Sequence, residues 1–155
     1  LQLARNYEYL FQNEEGKRYA ILHAHDGYDE VSLTGKTRIA GNNGVTEVKP
    51  ADFNLPILTL EQISGGETIE DAARIFKNVL ENKATEAQKS VVVANAATAI
   101  AVAQEVSLLE AVGKATASLV SAPLRPCRKL CASQQMLCEQ CKPQASRQHV
   151  RSTKT

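Results

Sequence analysis

The sequence predicts an α/β or α+β protein in which helices cover one sheet, and three observations carry that prediction. Short apolar runs bounded by turn residues dominate before residue 50, whereas helical spacing of apolar residues takes over after residue 65. Gly41-Asn42-Asn43-Gly44 separates two strand-like runs with residues that tolerate the positive φ of tight turns, a β-hairpin signal. Residues 91–103 are apolar nearly all round apart from Asn95 and Thr98, as a helix buried on several sides requires. Strand signals first and helix signals second describe a layered domain.

Residues 1–11 space Leu3, Tyr7, Leu10 and Phe11 at helical intervals, and residues 13–16 end that helix. Residues 17–25 follow as a strand with an apolar centre, then comes an acidic loop, then residues 30–33 as a second short strand. The hairpin is expected to pair residues 37–40 with 45–49. Pro50 and Pro56 lack the ladder donor, so residues 50–56 are read as a connecting loop with Phe53 or Leu55 tucked into the core. After Gly65-Gly66, a helix is expected to pack Ile69, Ala72, Ala73, Phe76, Val79 and Leu80 inward, with Thr68 and Asp71 as its cap. Thr85 and Gln88 form a capping box opening a second helix that runs to about Glu105. Ser107 and Glu110 form another, opening a third helix whose inner face is Leu108, Val112, Ala115, Leu119 and Val120, and Pro123 stops it.

At 155 residues the chain suits one domain with a real core. No apolar run approaches the roughly 20 residues that span a bilayer, so neither a membrane span nor a signal peptide is expected. The chain starts at Leu1 and its sole methionine is Met136, which leads us to expect a fragment. Its net charge of +1 hides a division. Residues 122–155 carry seven basic residues against Glu139 alone, together with all four cysteines, while every glycine lies at or before Gly113. We therefore divide the chain into a body, residues 1–121, and a basic tail, residues 122–155, expected to be disordered and foreign to the body. The body has no cysteine, in keeping with a reducing cytoplasm. Cys127, Cys131, Cys138 and Cys141 have the form C-x3-C-x6-C-x2-C, whose middle spacer is shorter than that of usual zinc ribbons; a small zinc-binding interaction module is the different-class alternative. The tail has no Phe, Tyr or Trp to stack on a base, so nucleic acid is not an expected partner.

The stretch richest in chemistry is residues 23–38, HAHDGYDEVSLTGKTR. It sets Asp29 and Glu30 just after the flexible Asp26-Gly27 pair, at the end of a strand, where ligands of open α/β sheets tend to bind. Adjacent acids suit Mg²⁺, a hard cation that prefers oxygen, and equally suit a solvated acidic turn. His23 and His25 have no third ligand of matching type nearby and are read as structural or incidental. Ser32, Thr34, Lys36 and Thr37 are turn and strand residues that are also able to hydrogen-bond phosphate. Asn95 is read as a satisfied core amide that fixes helix packing.

Gly27-Tyr28-Asp29-Glu30 followed by Ser32-Leu33-Thr34-Gly35 resembles the magnesium-binding segment of anthranilate phosphoribosyltransferases. Residues 3–12, the strand ending at Leu22-His23, the Asp52-Phe53 loop, Gly65-Gly66 before a helix and Asn95-Ala96-Ala97 inside the next match the C-terminal part of that family in order. The resemblance covers residues 1–121. It implies the C-terminal portion of the α/β domain of a class IV phosphoribosyltransferase, a mixed sheet with a β-hairpin covered by helices. It also implies Mg²⁺ as cofactor on Asp29 and Glu30, bridging to the pyrophosphate of phosphoribosyl pyrophosphate, with anthranilate as acceptor. No catalytic acid or base is assigned. The glycine-rich GTGGD-type loop, the Lys-His-Gly-Asn-type segment, the arginine that contacts anthranilate and the helical domain of the homodimer would lie upstream of Leu1, so the isolated chain is expected to be inactive. Pyrimidine-nucleoside phosphorylases share the fold and are the same-fold alternative.

Overall fold

The computed structural model describes residues 2–14 and 16–121, so the tail and its four cysteines lie outside the described residues. Helix α1 (Gln2–Phe11) leads into β1 (Ala20–Ala24), β2 (Thr37–Gly41) and β3 (Gly44–Val48), and after two short 3₁₀ turns come α2 (Ile69–Leu80), α3 (Glu86–Gln104) and α4 (Leu108–Ser121). The described strands form one antiparallel sheet in the order β1-β2-β3, with Leu22 opposite Ile39 and Ile39 opposite Thr46. The expected α/β arrangement of a hairpin sheet followed by helices is present.

The hairpin turns on Asn42-Asn43 between the paired Gly41 and Gly44, the latter at φ +93°. Asn42 fastens this tip to the segment before β1, because its Oδ1 accepts from the Tyr19 N–H at 3.0 Å and its Nδ2 donates to the Lys17 carbonyl at 2.8 Å. A side chain at Gly41 has no room there: a Cβ would stand 2.8 Å from the Tyr19 carbonyl oxygen. Helix α1 is held on the sheet by Phe11 stacked with Tyr19 at 5.6 Å and by Arg38 paired with Glu8 at 2.5 Å. That guanidinium holds the Glu8 carboxyl below its ordinary range.

One core gathers Val31, Leu33, Phe53, Leu58 and Ala94 under the loop after β1, and a second packs Val93 and Ala97 of α3 on Ala111 and Ala115 of α4. The small residues of the second let the two helix backbones approach closely. Phe53 is fully buried, as its loop position suggested, and Leu55 packs beside it. The caps form as read: Thr68 accepts from the Asp71 N–H, and Thr85 and Gln88 exchange both bonds of a capping box. At α4 only one half of the expected box is seen, from the Glu110 N–H to the Ser107 hydroxyl at 3.2 Å.

Three expectations fail. Residues 30–33 form no strand; Leu33 has φ +63°, which breaks extended backbone, and its carbonyl accepts from the Leu58 N–H at 3.0 Å. The stripe expected to pack inward from α2 faces outward, with Ile69 84% and Phe76 65% exposed. Val120 of α4 is also exposed, whereas Ala111, absent from the expected inner face, is fully buried. No single described helix is long and apolar enough to cross a membrane.

Candidate functional site

The acidic loop leaves β1 through a tight turn. The Ala24 N–H donates to the Tyr28 carbonyl at 2.9 Å, and Gly27 supplies a left-handed backbone at φ +97°. Asp26 organises the residues after it. Its Oδ1 accepts from the Tyr28 N–H at 3.3 Å, and its Oδ2 accepts from the Ser32 hydroxyl at 2.7 Å and from the Thr34 hydroxyl. Partial burial pushes the Asp26 carboxyl up, but the hydrogen bonds from Thr34, Ser32 and the backbone outweigh it and hold the group below its ordinary range.

On the other side of the acidic pair, Asn95 reaches across from α3. The Val31 N–H donates to Asn95 Oδ1 at 2.9 Å, while Asn95 Nδ2 donates to the Val31 carbonyl at 2.8 Å and to the Val91 carbonyl at 2.9 Å. The side-chain amide thus supplies Val31 with the donor and acceptor that a neighbouring strand would offer. Asn95 is satisfied, as the sequence suggested, but it fastens a loop to a helix rather than one helix to another.

Between these two clamps Asp29 and Glu30 are exposed, while Val31, Ser32 and Leu33 directly after them are buried. The nearby ion pairs go elsewhere: His25 and Lys36 both meet Glu47, at 3.1 and 3.2 Å, and Arg38 meets Glu8. Lys36 first, with His25 contributing, lowers the Glu47 carboxyl. Thr37 is buried in β2, with its hydroxyl unpartnered among the described residues. Of the hydroxyl and ammonium groups considered for phosphate, Ser32 and Thr34 serve Asp26 and Lys36 serves Glu47.

No group of three or more His, Cys, Asp or Glu able to hold a metal occurs among the described residues. Two exposed carboxylates on an anchored loop offer hard oxygen donors with positions left for water or phosphate. Such a donor set fits Mg²⁺, which is commonly held by one or two carboxylates, and does not fit the closed nitrogen and sulfur set of structural zinc. The sequence reading missed the clamp on Val31 and the role of Asp26. An Asp-Gly turn followed by Ser and Thr is a signal that was available for the second.

A family model described as "Glycosyl transferase family, a/b domain" matches residues 1–122. The chain belongs to that family. Within the glycosyl transferase family it is similar to the anthranilate phosphoribosyltransferase of Cytophaga hutchinsonii, 46% identical over 130 residues, which are 83% of this chain and 39% of the relative. The enzyme of that name from Flavobacterium johnsoniae is 47% identical over 78% of this chain and 36% of its own length. Among solved structures, anthranilate phosphoribosyltransferase from Thermus thermophilus matches with TM-score 0.63 at 27% identity, over 78% of this chain and 35% of that one. The Saccharomyces cerevisiae enzyme in complex with PRPP and Mg shares the fold, with TM-score 0.68 at 24% identity over 79% of this chain and 35% of that one. The chain thus spans little more than a third of the length of these relatives, and the match lies in their C-terminal part.

Proposed function

We propose that this chain is the metal-loop portion of a Mg²⁺-dependent anthranilate phosphoribosyltransferase, which transfers phosphoribosyl from phosphoribosyl pyrophosphate to the amine of anthranilate. The observation that supports this reading most is the anchored loop itself: two exposed carboxylates, fixed before by Asp26 and after by Asn95, in a chain similar to enzymes of that name. In the transfer, the amine nitrogen bonds to the ribose C1, the C1–O bond to pyrophosphate breaks, and the amine loses a proton.

Asp29 and Glu30 would hold Mg²⁺, which when bound neutralises charge on the departing pyrophosphate. Asp26 and Asn95 keep the pair in place, so little reorganisation is needed as charge develops. None of the residues described is assigned as a general acid or base. Anthranilate and the ribose phosphate would be gripped by residues preceding this part of the enzyme, and the whole would act in the cytoplasm as a homodimer.

The test is a chimera in which residues 1–121 replace the corresponding part of the Cytophaga hutchinsonii relative. Consumption of anthranilate that requires both phosphoribosyl pyrophosphate and Mg²⁺ is the expected result. A folded chimera that is inert toward anthranilate but cleaves thymidine with phosphate would overturn the reading in favour of a nucleoside phosphorylase.

A further inference from the structure

The sheet ends on β1 without the protection that edge strands usually carry. Among the described residues β1 pairs only with β2. The His25 N–H donates to the Lys36 carbonyl at 2.9 Å and the Tyr19 N–H to Asn42 Oδ1, so the odd-numbered residues turn their peptide groups toward β2. By antiparallel alternation, the N–H and C=O groups of Ala20 and Leu22 point away from the sheet. Exposed edges are commonly blunted by lysine, proline or a bulge; β1 reads Ala-Ile-Leu-His-Ala and has no lysine or proline.

Beside this edge lies a groove of about 640 Å³, lined by Arg18, Ala20 and Leu22 on the strand side and by Thr98, Ala99 and Val102 of α3. The relatives say what is available to fill it. This chain covers 39% of one and 36% of another and matches the C-terminal part of the solved structures, so their uncovered residues precede it.

We infer that the open edge of β1 and the groove along α3 form a docking site for an extended segment of the family's preceding residues, which joins the sheet as a further strand. Backbone hydrogen bonds to Ala20 and Leu22 supply affinity, and apolar side chains of the segment enter the groove between Leu22 and Val102. The inference rests on family membership and not on the proposed reaction.

The test mixes the full 155-residue chain with the part of the Cytophaga hutchinsonii relative that it does not cover, produced separately. We expect a one-to-one complex on gel filtration, with amide exchange at Ala20 and Leu22 slowed at least tenfold and at Ile21 and His23 little changed. Ala20→Pro removes one outward donor and leaves the β2 ladder intact; Ala99→Arg puts a charge into the groove from an exposed position. Each should weaken the complex at least tenfold while the variant keeps the parent's circular dichroism and melting. Absence of a complex, unprotected Ala20 and Leu22 amides, or undiminished binding by both folded variants would overturn the inference. A concentration-dependent dimer of the chain alone, with those same amides protected, would overturn it in favour of a second copy. No readout uses turnover, so failure of the reaction and failure of the docking site are separate outcomes.

Discussion

Replacing Asn95 by Ala removes three hydrogen bonds at once, two of them to the backbone of Val31 directly after the acidic pair. At about 1 kcal/mol net for each bond, the loss is about 3 kcal/mol, and the stranded Val31 groups, partly shielded from water, raise it toward about 4 kcal/mol. In a domain of this size that lowers the melting temperature by about 10–20 °C. Urea and thermal denaturation of the full chain measure the loss, and amide exchange at Val31 locates it. Asn95→Asp is the discriminating companion, since it keeps the volume but faces the Val31 and Val91 carbonyls with a carboxylate where Nδ2 donated. If hydrogen bonding is the role, Asp does no better than Ala. Both variants within about 0.5 kcal/mol of the parent, the range of ordinary surface changes, would refute the clamp.

Three further outcomes are expected from the geometry. Because the folded Asp26 carboxyl is held below its ordinary value, its contribution is present above about pH 4 and is lost as pH falls through the folded pKa; Asp26→Asn should therefore lower stability at pH 7 and flatten its decline in acid, as urea midpoints across pH would record. Gly41→Ala forces a Cβ against the Tyr19 carbonyl and should cost about 1–3 kcal/mol in denaturant titrations, with loss of exchange protection at the Tyr19 amide. Ending the chain after Ser121, one residue before the family match stops, should leave the melting temperature of the body unchanged within error in a thermal scan.

Local signals in the sequence carried most of the fold. Asn42-Asn43 between two glycines requires a hairpin, and Thr85 with Gln88 marks a helix start, because each depends on residues within a few positions of one another. Long-range substitutions escaped it. Residues 30–33 look like a strand, but the partner of Val31 is a side chain 64 positions away, and no propensity of the loop encodes that. The stripe on α2 was read correctly as apolar and wrongly as inward, since periodicity gives the face but not the surface that meets it. At the site, the exposed acids were legible as a pair, while the anchoring by Asp26 and Asn95 emerged only from the fold.

The most direct test of the metal loop is a Mg²⁺ titration of initial rate, at saturating phosphoribosyl pyrophosphate and anthranilate, for the chimera carrying residues 1–121 and for its Asp29→Ala, Glu30→Ala double variant. Removing the metal's charge stabilisation of the leaving group should raise the barrier by several kcal/mol, which is about a hundredfold or more in rate. The melting temperature should hold, because both acids sit exposed on a loop that Asp26 and Asn95 anchor without them. The account predicts a collapsed rate and a lost or far weaker Mg²⁺ dependence in a folded protein. Superimposable titration curves for the parent chimera and the double variant would reduce Asp29 and Glu30 to a solvated turn and contradict it.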